Sequence, residues 1–343
     1  MKERPRIGLA LGGGGARGYA HLGVIKVLQE ADIPIDIIAG TSMGAVVGAA
    51  CAMGYRTEEL VDMALQMNWR RLLSLADPTI PHQGIIAGNR LEKYFQTLTC
   101  GKEFDQLEKT LVVIATDINT GEEVRLDSGP VARALRASTA VPGIFCPVNS
   151  ERRYLVDGSV TTPVPAAATQ EAGAKVVVAV DVCSTVDRTD VLAQAWKWWK
   201  EIPPMQTYGL IGMPGFLSFF KRVLPESINI VGRSMELNDR HIEISFPATP
   251  TAQYWLLRPA VENVRWYEFH RVRECIQAGE AVGRQVAGQI NALLKKVILP
   301  EEEPEIKPAG KDKQSKDGQL LTGRHTRDNN MQVTEITNLR RRI

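Results

Sequence analysis

The first fifty residues carry two short apolar runs, Ile7 to Leu11 and, with Asp36 inside it, Ile35 to Ala39, each followed by glycine and then by a helical pattern. The unbroken run Ile7 to Leu11 predicts a parallel strand covered on both faces, and Ile35 to Ala39 reads as the second strand. Tyr19 to Glu30 places Leu22, Ile25 and Leu28 on one side of a helix, and the small residues Ala45 to Ala50 predict a second helix. The order strand, helix, strand, helix predicts an α/β fold, a three-layer α/β/α sandwich with a mainly parallel central sheet. Thr57 to Leu73 reads as a helix with Thr57 as its N-cap and Glu59 in the first turn. Pro78 to Gly88 is punctuated by Pro and Gly and reads as a mobile loop near the cleft. Asn89 to Thr97 and Val131 to Ser138 read as helices, Leu111 to Thr116 as a buried strand and Glu122 to Leu126 as an exposed one. Arg153 to Val156 reads as a strand ending at Asp157-Gly158, and Lys175 to Asp181 as the last clear core strand.

Two regions depart from this pattern. Ser184 to Ser234 gathers Trp196, Trp198, Trp199, Phe216, Phe219 and Phe220 with Lys197, Lys200, Lys221 and Arg222 between them. Aromatic residues mixed with Lys suit an element lying on a membrane surface, so Trp196 to Phe220 is a candidate peripheral contact. A helical lid or a subunit contact is the other reading. Beyond Leu299 the chain turns polar, and 300–343 is expected to be a disordered tail. The 343 residues are 44% hydrophobic and 23% charged with a net charge of +2, an ordinary globular balance that gives no case for a nucleic-acid partner. Five scattered cysteines without a CxxC pair argue for reduced thiols and against a zinc site. With no apolar stretch long enough to span a bilayer, the expected location is cytoplasmic, or peripheral at the inner membrane face.

The chemistry concentrates in two turns. Gly40-Thr41-Ser42-Met43-Gly44 follows the second strand and precedes a helix, which puts Ser42 at the apex of a sharp turn. The flanking Gly40 and Gly44 allow the strained backbone and close approach that such a turn needs. The helix dipole then favours negative charge developing at the serine. Gly12 to Gly18 follows the first strand, and its spacing Gly13-x-Gly15-x-x-Gly18 admits two readings. One is a dinucleotide fingerprint with Asp36 as the ribose-binding carboxylate, which implies an oxidoreductase. The other is an oxyanion hole of successive backbone amides. An apical serine on the adjacent strand favours the second, since acyl transfer needs both parts together. Arg17 either steers an anionic head group or braces the loop. For a base, an α/β-hydrolase order would require His241 or His270; His21 reads as a packing or capping residue, and His270 as lying on a helix face. Asp157, presented at a strand end with Gly158 permitting the reversal, is the alternative, a single carboxylate taking the serine proton directly.

Gly13-Gly14-Gly15-Ala16-Arg17-Gly18, Gly40-Thr41-Ser42-Met43-Gly44, Ala137-Ser138-Thr139-Ala140-Val141-Pro142 and Asp157-Gly158, in this order, resemble the patatin-like phospholipase family. Within it the chain is similar to the bacterial branch akin to the catalytic domain of neuropathy target esterase. The resemblance covers residues 5–182. It implies a patatin-like α/β/α core, a Ser42–Asp157 dyad and an oxyanion hole made by the amides of Gly13, Gly14 and Gly15. Arg17, Gly18, Gly40, Gly44 and Gly158 are then supporting positions. It also implies hydrolysis of a lipid ester without metal or cofactor. The family's Asp-Gly-Gly or Asp-Gly-Ala reads Asp157-Gly158-Ser159 here. Residues 183–299 are expected to complete or cover the same domain. A non-enzymatic lipid-binding protein that keeps the fold is the remaining rival.

Overall fold

A computed structural model of the chain describes residues 4–67, 69–79, 84–150, 152–183, 252–298 and 333–335. The aromatic stretch Trp196 to Phe220, His241 and nearly all of 300–343 lie outside the described residues.

Five parallel strands make the centre of one sheet: β1 (Ile7–Leu11), β2 (Ile37–Thr41), β3 (Thr110–Asp117), β7 (Val176–Val180) and β8 (Gln253–Leu257), in the order β3-β2-β1-β7-β8. Antiparallel strands flank them: β4 (Glu122–Leu126) and β6 (Arg153–Asp157) on β3, β5 (Val148–Ser150) on β6, and β9 (Val333–Glu335) on β8. The all-apolar strands are buried along their whole length, as a sheet covered on both faces requires. Alternate residues serve different layers. Leu9, Leu11, Val178 and Val180 pack with α1 (Ala20–Glu30), α2 (Met43–Ala52) and a long C-terminal helix. Ala10, Val177 and Ala179 pack with α7 (Ala166–Glu171) on the other face. The expected α/β/α sandwich is the observed fold.

The differences from the sequence reading have local causes. The second strand starts at Ile37, two residues late; just before it the Asp36 carboxylate accepts from both terminal guanidinium nitrogens of Arg4 at 2.7 Å and from the Ile7 N–H at 2.8 Å. It also runs on to Thr41, directly against the serine. The single helix expected over Thr57 to Leu73 is two, α3 (Thr57–Leu65) and α4 (Trp69–Leu75). The segment expected to be a mobile loop is fastened where it is described. Pro78 bridges Ile86 and Ile86 bridges Phe145. The Asp77 carboxylate accepts the N–H groups of Gly88, Asn89 and Arg90 at the start of α5 (Asn89–Leu98). Buried Arg136, in α6 (Val131–Ser138), donates to the carbonyls of Ala87, Gly88 and Cys146.

Lys175 to Asp181 is not the last core strand, since β8 extends the sheet beyond it. Residues 266–271 are turns, so exposed His270 precedes the helix α8 (Val272–Ile298) instead of riding on one. Helix α8 lies against α1 so closely that side chains are excluded at the crossing. A Cβ on Gly23 would sit 2.0 Å from the Ile276 carbonyl oxygen, and one on Gly279 1.9 Å from that of Ala20. Gly288, on the same helix, faces open space. Gly-to-Ala in an open helix interior gains up to about 1 kcal/mol. Gly288→Ala is therefore expected to raise the urea midpoint. Gly279→Ala is expected to lower stability by about 1–3 kcal/mol, through overpacking against a backbone that cannot retreat.

Candidate active site

The pairing of β3 explains why a serine at one strand end meets an aspartate at another. Along one edge of β3, β4 pairs residues 113–117. The opposite edge is shared. Parallel β2 occupies residues 110–114, ending with Thr41 beside Ile114, and antiparallel β6 occupies 115–117, ending with Asp157 beside Ala115. The two strands therefore run head-on along a common template and stop one register position apart. Gly158 is needed at this junction, because a Cβ there would lie 2.4 Å from the Ile114 carbonyl oxygen.

Beyond Thr41 the chain turns through Ser42 with φ 53 and ψ −120, a conformation unfavourable to any residue with a side chain. The packing permits it only with glycine on both sides. A Cβ at Gly40 would meet Ala45 Cα at 2.5 Å, and one at Gly44 the Leu11 carbonyl oxygen at 2.1 Å. The Ser42 N–H donates to the Oγ of fully buried Ser138 at 2.9 Å. That gives the Ala137–Pro142 block a visible task, since α6 holds the strained turn in place. The Ser42 carbonyl starts α2 by accepting from Ala45 and Val46.

Ser42 Oγ donates to Asp157 Oδ2 at 2.7 Å. The second carboxylate oxygen, Oδ1, accepts the Ser159 N–H at 2.9 Å, and the Asp157 N–H donates to the Ala140 carbonyl. Only 1% of Asp157 is exposed, and that desolvation pushes its carboxyl up to about 6, against the downward pull of hydrogen bonds from Ser159 and Ser42. A carboxylate poised there is half-ionised near pH 6 and a competent proton acceptor above it. Ser159, unremarked in the sequence beyond its departure from the family pattern, projects its Oγ to within 2.2 Å of where a Gly13 Cβ would be.

The glycine loop stands beside Ser42. A Cβ on Gly13 would lie 3.4 Å from Ser42 Cβ. Gly14 and Gly15 adopt φ 155 and φ 57. The Gly13 amide, expected to face an oxyanion, instead donates to the Pro163 carbonyl at 3.0 Å, and the Gly12 amide donates to that of Val180. Ala16 and Arg17 also donate to carbonyls, of Trp266 and Gly14. Among the described residues no backbone acceptor takes the amides of Gly14 and Gly15. Arg17 is buried, and its Nε donates to the Val264 carbonyl at 2.6 Å, which braces the loop against the segment before α8. A Cβ on Gly18 would strike Met43, beside the serine.

Fully buried His21 has its Nε2 2.7 Å from the Gly12 carbonyl oxygen. A carbonyl only accepts, so Nε2 carries the proton. Desolvation holds the ring neutral, its pKa lowered to about 4. Exposed His270 stands in the turns before α8, and neither of these two described histidines is hydrogen-bonded to Ser42. Asp36 lies at the amino end of β2, whereas the glycine loop follows the carboxyl end of parallel β1. Strands of this length separate the two by about 15 Å, so the ribose contact required by the dinucleotide reading is lost.

The family model for patatin-like phospholipases matches residues 9–169, which contain the glycine loop, Ser42 and Asp157. Those residues belong to the patatin-like phospholipase family. An uncharacterized NTE family protein of Mycobacterium tuberculosis is 39% identical over 178 residues, 52% of this chain and 49% of its own length. Lysophospholipase NTE1 of Kluyveromyces lactis is 29% identical over 294 residues, covering 81% of this chain and 19% of that protein. Lysophospholipase nte1 of Aspergillus fumigatus is 30% identical over 320 residues, covering 88% of this chain and 19% of its own. The chain thus spans about half the length of the mycobacterial relatives it matches and about a fifth of the fungal ones. Outside the patatin-like segment, the fungal alignments extend over most of the remaining chain. No described helix is long and apolar enough to cross a membrane.

Proposed function

We propose that this chain hydrolyses the acyl ester of a lipid, with Ser42 as nucleophile and Asp157 as general base. The observation that carries the reading is the 2.7 Å hydrogen bond from the hydroxyl on a strained strand-to-helix turn to a buried carboxylate. Asp157 takes the hydroxyl proton as Ser42 Oγ bonds to the ester carbonyl carbon. The carbonyl oxygen becomes an oxyanion held by the amides of Gly14 and Gly15, the Gly13 amide being engaged by Pro163. Collapse expels the alcohol, which leaves with the proton from Asp157, and the acyl group stays on Ser42. Water then gives a proton to Asp157 and attacks the acyl carbon, and Ser42 Oγ departs with that proton, releasing the fatty acid. The relatives named lysophospholipases make a single-chain phospholipid the first substrate class to test. Peripheral membrane contact at the cytoplasmic face belongs to the same proposal.

Two readouts on the full chain test it. A fluorophosphonate probe is expected to form one stoichiometric adduct, mapping to Ser42. Hydrolysis of a p-nitrophenyl ester should fall about tenfold per pH unit below pH 6, because kcat/KM requires ionised Asp157, whose carboxyl stands at about 6. An adduct elsewhere, or a rate unchanged across that range, defeats the reading.

A further inference from the structure

We infer that Cys183 is a positioning residue for the oxyanion pocket, its thiol latching the Gly13 carbonyl and thereby setting the direction of the Gly14 N–H. The inference rests on the serine-hydrolase reading and adds to it a residue from outside the patatin-like segment.

Four consecutive glycines have no side chains to hold their peptide planes, and glycine changes φ at little cost. Their orientation has to be imposed by neighbours. The Gly12–Gly13 peptide is held at both ends, its carbonyl by His21 Nε2 at 2.7 Å and its N–H by the Pro163 carbonyl at 3.0 Å. The Gly13–Gly14 peptide is held differently. Its carbonyl accepts the Cys183 thiol at 3.1 Å, while its N–H meets no backbone acceptor among the described residues. A trans peptide is planar with its C=O and N–H opposed, so fixing the oxygen on one side turns the amide to the other. One end is anchored and the other is left for a substrate oxygen.

The anchor is itself built into the sheet. Cys183 N–H donates to Asp181 Oδ1 at 3.0 Å, Asp181 N–H donates to the Leu257 carbonyl, and Asp181 Oδ2 faces Arg258 Nε at 3.4 Å. The carboxyl ends of β7 and β8 thus fix where the thiol stands. Side-chain packing adds to the hydrogen bond, since a Cβ on Gly14 would sit 2.6 Å from Val182 Cγ2 and 3.3 Å from Cys183 Sγ. Half-buried Cys183 is a smaller perturbation target than fully buried His21.

The test compares Cys183→Ser, which keeps a donor, with Cys183→Ala, which does not, in the full chain. With a p-nitrophenyl ester, Cys183→Ala is expected to lower kcat about tenfold with KM within about twofold, a fraction of the loss from deleting an oxyanion donor outright. Its fluorophosphonate labelling rate should fall in parallel, and Cys183→Ser should recover most of both. Melting curves accompany each variant. If Cys183→Ala melts early, Cys183→Val supplies a second donor-free side chain of fuller volume. An unchanged kcat in the donor-free variants overturns the inference alone. A serine variant as slow as the alanine one also overturns it, since packing would then be the cause. A wild-type chain that neither hydrolyses the ester nor takes the probe overturns the hydrolase reading and this inference with it.

Discussion

Ser42→Ala is expected to cut ester hydrolysis by about 10⁴–10⁶-fold, the range seen when a serine hydrolase loses its nucleophile while its oxyanion pocket and binding surface survive. Alanine removes one oxygen and leaves the backbone at φ 53, still tied to Ser138 through the residue's N–H. The fold should therefore persist with its strain intact. What changes is Asp157, which loses the hydroxyl that helps hold its carboxyl down. Its ionisation becomes harder in an already dry setting, so the variant should melt slightly below the wild type at pH 8. The check is a p-nitrophenyl ester assay beside circular-dichroism melting, with fluorophosphonate labelling expected to vanish.

Asp157→Asn is expected to lower kcat by about 10³-fold or more, since no other described group accepts the Ser42 proton. Its stability effect should have the opposite sign. The folded carboxyl at about 6 lies above the ordinary value of 3.8, so the native state binds this proton more readily than the unfolded chain does. Stability from this group is thus greatest below the unfolded value and is lost as pH rises through about 6. Above pH 6 the buried carboxylate costs on the order of 2–3 kcal/mol, which asparagine removes while still accepting the Ser159 N–H. The variant should melt several degrees higher than wild type at pH 8, with the gap closing toward pH 4. Retained activity in Asp157→Asn would return the search to the histidines, starting with His241, which lies outside the described residues.

His21 opposes this trend. Its imidazole stays neutral in the fold down to about pH 4, but in the unfolded chain it charges near its ordinary value of 6.5. The folded state therefore loses stability from this ring as pH falls from 6.5 toward 4. The melting optimum of wild type should reflect both groups, whereas the gap between Asp157→Asn and wild type isolates the aspartate.

Much of the candidate site is legible in the sequence alone. Apolar runs such as Ile7–Leu11 and Val176–Val180 have one comfortable place, inside a doubly covered sheet, and turn chemistry marked Ser42 and Asp157. Pairing across long separations was not legible. Gln253–Leu257 is a short apolar run without periodicity, and only its register against Val176–Val180 makes it a strand of this sheet. Helix α8 did carry a signal, with Cys275, Ile276, Val282, Val286, Ile290 and Leu294 buried along one side. Asp36 has the sequence distance of a ribose ligand, but it stands at the amino end of β2, away from the glycine loop. The Gly13 amide looked available because a glycine run does not reveal which of its donors the fold consumes.

The head-on meeting of β2 and β6 makes the contact between Ser42 and Asp157 a matter of strand alignment. Side chains alternate along a strand, so sliding β6 by one residue would turn Asp157 to the far side of the sheet and move it roughly 3.3 Å along β3. An insertion within Arg153–Asp157 would therefore break the alignment. Asp157 is placed by the same ladder of backbone bonds that holds the sheet together, so a mispaired hairpin would yield a folded chain in which Ser42 has lost its carboxylate partner.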